Sequence, residues 1–231
     1  MRQQGMKYLL FFLALVTMEL AIFWALHMAP PDTQQGDVQR IFYFHLGSIW
    51  VSFVAFFYVL YASVRYLVSR DLKWDARAYV SGEVGLTLST IVLITGPIWA
   101  KPTWGVWWVW DARLASMLIL WLTFLGYTRL RDYIDSESKR APISAVLGIV
   151  GGCMVPFVYM STRWFETQHP KPVIGGGKDS GIADPHMVIA LVLALVAFSL
   201  LYFILCIVGS AIHNMENRAK QISARLGYLE D

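Results

Sequence analysis

Residues 99 to 113 read Trp99-Ala-Lys-Pro-Thr-Trp-Gly-Val-Trp-Trp-Val-Trp-Asp-Ala-Arg113, and five of the chain's ten tryptophans fall between Trp99 and Trp110. An apolar run lies on either side of this segment, so it reads as a short aromatic connector at a membrane surface. If the segment is helical, Trp104, Trp107, Trp108 and Asp111 stand at i, i+3, i+4 and i+7 and share one face. That face is a flat, π-rich shelf with a carboxylate at its edge. A lipid anchor has no need of such a shelf, whereas a large planar apolar ligand does.

The composition agrees with a membrane setting. The chain has 231 residues, is 57% hydrophobic and 15% charged, and its mean hydropathy is +0.51. Those values exclude an ordinary soluble domain. A net charge of +3 does not point to nucleic acid, because the basic residues gather at the ends of apolar runs, where they orient the chain in the bilayer. Cys153 and Cys206 lie far apart inside apolar runs. They form neither a CxxC pair nor a CxxCH heme-attachment motif, so the chain is not itself a c-type cytochrome.

Six apolar stretches are long enough to cross a bilayer, which takes about 20 helical residues. They run near Tyr8–Met28, Ile41–Val68, Ala78–Ala100, Arg113–Arg129, Pro142–Thr162 and His186–Ile212. The first is too long for a signal-peptide core and carries Glu19, so it is expected to stay as a span. The expectation is an all-α, polytopic membrane protein of six transmembrane helices, with residues 1–231 forming one integral membrane domain. Lysines and arginines set the orientation. Thirteen lie in the N-terminus, the loops after spans two and four, and the C-terminal tail; six lie in the opposite set. Both termini are then expected in the cytoplasm. Loops 29–40, about 100–112, and 163–185 would face outward.

This topology sorts the histidines. His27, His45, His169 and His186 lie at or near the outer face, and His213 lies inside. Neutral imidazole is a common iron ligand, and heme iron takes one or two axial protein ligands. Two histidines on either side of a porphyrin whose edge rests on tryptophans would complete such a site. Spacing alone does not choose His45 and His169 over His27 or His186. An aromatic belt would explain one or two interfacial tryptophans, but five in a twelve-residue window ask for more. Asp111 has two readings: an acceptor beside the shelf, or an N-cap for span four. Arg40, Lys101, Arg113 and Arg163 are candidate partners for heme propionates, since guanidinium groups suit carboxylates, although each is also an ordinary interfacial cation.

The run Trp104-Gly-Val-Trp-Trp-Val-Trp-Asp-Ala-Arg-Leu resembles the tryptophan-rich WWD signature of heme-handling cytochrome c biogenesis proteins. With six spans and 231 residues, the chain is most similar to the CcmC family of the system I pathway. The likeness covers nearly all of it: a short first span, a histidine opening span two, the signature, and a histidine in the last outer loop. The resemblance implies heme b held between His45 and His169 as axial metal ligands. The aromatic-acid motif would fall on Trp104, Gly105, Trp107, Trp108, Trp110 and Asp111, with Arg113 beside it. It further implies that heme is presented at the periplasmic face of the bacterial inner membrane and passed to a periplasmic heme chaperone, CcmE. A small membrane subunit, CcmD, and the ATP-driven pair CcmA and CcmB would be partners. The chain has no ATP-binding motif of its own, so a heme transport and transfer component is expected rather than an enzyme.

Some positions depart from the family pattern. Ala115 stands where a hydroxyl residue commonly follows Arg-Leu, and Gly47 where proline is frequent. The stretch Val173-Ile-Gly-Gly-Gly-Lys-Asp-Ser-Gly is longer and richer in glycine than CcmC loops usually are. It lacks P-loop spacing and reads either as a lid or partner-contact loop or as slack between spans. It keeps the related CcsA branch open as an alternative. Two further rivals remain: a b-type cytochrome subunit linked to quinone, and a heme-free permease whose tryptophans serve only as anchors. Within the spans, Glu19 is costly unless protonated, paired or turned inward. Glu83 lies near the inner end of span three. Gly148, Gly151 and Gly152 suggest close helix packing, and Pro97 and Pro156 suggest kinks.

Overall fold

Apolar runs of this length have one economical solution in lipid, which is to satisfy every backbone group inside a helix. The structure, a computed structural model, describes residues 2–134, 136–169 and 184–230. It contains helices α1 (Arg2–Phe23), α2 (Ile41–Ser69), α3 (Leu72–Trp104), α4 (Ala112–Tyr133), α5 (Glu137–Trp164) and α6 (Pro185–Glu230). A π-helical turn, Trp24–Met28, continues α1, and a 3-10 turn, Asp37–Arg40, leads into α2. The chain is thus a six-helix polytopic membrane protein. Five of the helical segments are long and apolar enough to cross a membrane by length and composition. The helix outside that set, α4, has 22 residues, enough to span; Arg113 near its start and Arg129, Arg131 and Asp132 near its end dilute its apolar run. The glycine-rich stretch from Val173 to Gly181 and the cations Lys171 and Lys178 lie outside the described residues.

Helices α2, α3, α4 and α5 enclose the main core. Phe56 of α2 stacks on Phe124 of α4 with ring centroids 3.6 Å apart, and Tyr127 meets Phe124 edge-on. Close approach of backbones depends on glycine, as the sequence suggested. A Cβ on Gly152 would fall 2.5 Å from Leu60 Cβ and 3.1 Å from the Phe56 carbonyl, and one on Gly151 2.8 Å from Phe124. A second contact zone joins α1 to α6 through a stripe of small residues: Ala21, Ala25 and Ala29 meet Ala190, Ala194 and Ala197. With no hydrophobic drive between helices in lipid, such small residues let van der Waals contact hold them.

Polar residues divide between the two ends. At one end Asp75 of α3 pairs with Arg131 of α4, both side chains 6% exposed. Glu83 accepts a hydrogen bond from the Tyr79 hydroxyl at 2.6 Å. Glu19 sits on the exposed face of α1 rather than turned into the bundle interior. Helices α3 and α5 run through Pro97 and Pro156 without ending there. At the other end the connections after α1, α3 and α5 converge, and there the cavity lies.

Candidate functional site

The tryptophan segment does not form the continuous helical shelf expected of it. Helix α3 ends at Trp104, because Gly105 adopts φ 77°, a left-handed conformation suited to glycine, and its N–H closes on the Lys101 carbonyl at 3.0 Å. The chain then runs irregularly until Asp111. There Asp111 takes extended backbone angles, and its carboxylate accepts the Leu114 N–H at 2.9 Å, capping α4. The capping reading of Asp111 is therefore realised, and its other oxygen is buried without a partner. Trp107 and Trp108 reach the same place as Trp104 by a bent connector instead of a helix face.

That place is a cavity of about 390 Å³, within the ~300–1,000 Å³ range of small-molecule sites. His45, His169, Trp104, Trp107, Trp108 and Arg113 all line it. Gly105, Trp110 and Asp111 do not. Trp110 is 78% exposed and meets Trp108 edge-on at 5.6 Å. His27 and His186 also stay outside the lining; His186 stacks on Trp24 with ring centroids 6.0 Å apart. The geometry brings His45 and His169 to one cavity and leaves His27 and His186 outside its lining.

The two imidazoles are mounted differently. His45 is buried in the second turn of α2, its Nδ1 2.9 Å from Thr95 Oγ1 of α3 and its ring edge-on to Trp99 at 5.8 Å. His169 lies on irregular backbone after α5, where its ring meets Trp104 edge-on at 6.2 Å and its carbonyl accepts the Thr167 hydroxyl. Of Arg40, Lys101, Arg113 and Arg163, Arg113 alone lines the cavity. Its guanidinium is buried and donates to the Val158 carbonyl at 2.6 Å, tying α4 to the end of α5. Arg40 pairs with Asp37 at 3.0 Å, Lys101 donates to the Gly105 carbonyl, and Arg163 lies over the Tyr159 ring.

Several lining residues escaped the sequence reading. The loop between α1 and α2 closes on itself through reciprocal bonds between Asp32 and Gly36, while Asp32 Oδ1 accepts the N–H groups of Gln34 and Gln35 at 2.8 Å. This turn presents the Gln35 amide, which accepts the Trp99 indole N–H at 2.7 Å. The Asp-x-Gln-Gln-Gly spacing carries the turn signal, but nothing in it shows that the loop folds over the tryptophans. Thr95, which touches His45 from outside the lining and lies fifty residues from it in sequence, left no local signal at all.

These features define an integral membrane protein of six helices with a histidine- and tryptophan-lined cavity at one end of its bundle. A sequence profile of the heme exporter protein C (CcmC) family matches residues 2–225, and the chain belongs to that family. It is similar to heme exporter protein C of Haemophilus influenzae, 32% identical over 210 residues, covering 91% of this chain and 85% of that protein. The Bradyrhizobium diazoefficiens protein of the same name is 36% identical over 176 residues, covering 76% of this chain and 66% of that one. The Escherichia coli K12 protein is 31% identical over 162 residues, covering 68% and 64%.

Proposed function

We propose that the chain binds heme b in this cavity, His45 and His169 supplying axial nitrogens and Trp104, Trp107 and Trp108 supporting the macrocycle. One observation carries the reading: two histidines from distant segments line the same tryptophan-walled cavity. Family membership supports the class of cargo, since the relatives are named as heme exporters. Heme is here cargo to be passed on. The protein's part is ligation and positioning, with neutral imidazole binding iron and flat indoles contacting the porphyrin. Arg113 adds a positive charge at the wall, suited to a propionate, while its bonds to α5 fix its place.

The positive-inside pattern supports cytoplasmic termini and a periplasmic cavity in the bacterial inner membrane. On that orientation heme would be offered to the periplasmic chaperone CcmE, with CcmD and the CcmA/CcmB pair as membrane and ATP-hydrolysing partners. A quinone-linked b-type cytochrome is less favoured, because His169 sits on a loop rather than on a helix inside the bilayer.

The test is an absorption spectrum of the purified, heme-loaded protein. His45→Ala and His169→Ala should each shift the Soret band and lower heme occupancy, and the double variant should lose most of it. Unchanged spectra in both single variants would remove these residues as ligands. Absence of any Soret band in the wild-type protein after mild purification with heme supplied would overturn the heme reading itself.

A further inference from the structure

The proton count around His45 decides which of its nitrogens is free. Its Nδ1 lies 2.9 Å from Thr95 Oγ1, and that oxygen lies 2.8 Å from the Ile91 carbonyl one turn earlier on α3. A threonine hydroxyl has a single proton and two lone pairs. Two oxygens 2.8 Å apart attract only with a proton between them, so the hydroxyl proton belongs to the Ile91 carbonyl. With that bond made, Thr95 Oγ1 has only lone pairs to offer the imidazole, an arrangement that favours a proton on Nδ1. A neutral imidazole protonated at Nδ1 has its bare lone pair on Nε2. The opposite assignment, with Thr95 donating to Nδ1, would leave the Thr95 and Ile91 oxygens in contact with no bond between them.

We infer that Thr95 is a positioning residue for heme capture: the chain from His45 Nδ1–H through Thr95 Oγ1–H to the Ile91 carbonyl holds His45 in the tautomer that offers Nε2 to iron. The inference rests on the reading of His45 as a ligand. It adds the reason that this histidine is ready before heme arrives. An unassisted imidazole samples both tautomers and must discard the one whose Nε2 bears a proton. The anchor is a helix backbone carbonyl, so α3 and the ring stay in register. Partners of this kind, behind a metal-binding histidine, also raise its basicity, and their loss typically lowers metal affinity by about 10- to 100-fold.

Two measurements on the full-length protein in lipid test this. The first uses ¹⁵N-histidine labelling of the heme-free wild-type protein, with the His45 ring signals assigned by their disappearance in His45→Gln. A protonated Nδ1 and a bare Nε2 are expected; a protonated Nε2 would overturn the inference without recourse to any Thr95 variant. The second compares Thr95→Val with Thr95→Ser by heme titration and by the midpoint potential of the bound heme. Thr95→Val keeps the shape and removes the acceptor, and should weaken heme binding about tenfold or more and raise the potential. Thr95→Ser restores the hydroxyl and should behave as wild type. Wild-type affinity and potential in both variants would refute the role of Thr95. Failure of the ligand reading looks different: His45→Ala would then leave affinity and spectrum unchanged, whatever tautomer the ring adopts.

Discussion

Removing one partner of the Asp75–Arg131 pair should destabilise the bundle far more than removing both. Arg131 holds Asp75 through both terminal guanidinium nitrogens, Nη1 and Nη2, one bond measuring 3.0 Å, and each side chain is 6% exposed. The guanidinium also lies 4.6 Å over the Tyr79 ring and 5.8 Å from Tyr127, while its Nε is buried without a partner. In Asp75→Ala a cation would be stranded among aromatic rings with no water to replace the carboxylate, which costs about 3–5 kcal/mol. Arg131→Met strands the carboxylate in the same way. The double variant Asp75→Ala/Arg131→Met leaves no buried charge and should fall within about 1–2 kcal/mol of wild type. Reversible unfolding in mixed detergent micelles, followed by tryptophan fluorescence, measures all three. Single losses that add up to the double loss would refute the buried-pair account, as would single losses below about 1 kcal/mol. The heme spectrum of the folded fraction should stay unchanged. Asp75 and Trp104 are separated by 29 positions of α3, about 44 Å along the axis at ~1.5 Å per residue.

Replacing Trp107 and Trp108 together with alanine should weaken heme retention more than replacing Trp24 or Trp121, because the first two line the cavity while Trp121 donates to Thr90 between helices; equal effects in a heme-release assay would return the tryptophans to the role of an interfacial belt. Gly152→Leu forces side-chain atoms into Leu60 and the Phe56 carbonyl, and should cost about 1–3 kcal/mol or more in the same unfolding assay. Asp111→Ala removes the cap on the Leu114 N–H and should lower stability by about 0.5–2 kcal/mol, with Asp111→Asn retaining most of it. Loss of heme binding in Asp111→Asn at unchanged stability would show that the carboxylate does more than cap.

The sequence made the fold legible because apolar length is a strong signal in a bilayer. Each of the six stretches became a helix, and helical segments grew mostly at ends where polar residues still tolerate helix, as at the start of α3 and the end of α6. The site was legible by residue type and not by shape. Periodicity put Trp104, Trp107, Trp108 and Asp111 on one helical face, yet Gly105, at φ 77°, broke the helix between the first and the rest. A glycine after Pro102 and Trp104 is the stop signal that periodicity outweighed. The neighbours that set the cavity's chemistry, Thr95 behind His45 and Gln35 against Trp99, come from segments far apart in sequence. Only the packing of α3 on α2, and the fold of the loop between α1 and α2, brings them together.

The unequal mounting of the two histidines bears on what such a cavity can do with heme. A resident electron-transfer heme gains from two rigid ligands, because any motion of the axial bonds adds reorganisation to every electron passed. A carrier has the opposite need, since bound heme must leave without the bundle opening. Here one imidazole is fixed by burial, by the edge of Trp99 and by a hydroxyl tied to a helix backbone. The other stands on irregular backbone just beyond α5, where its ring meets Trp104 edge-on and its carbonyl accepts the Thr167 hydroxyl. On the proposed reading, His45 is the ligand that captures and His169 the one that yields. Exchange kinetics separate the two: His169→Ala should speed heme release to an acceptor such as apomyoglobin with a modest loss of capture, whereas His45→Ala should abolish capture. The reverse pattern would assign the fixed and the yielding roles the other way round.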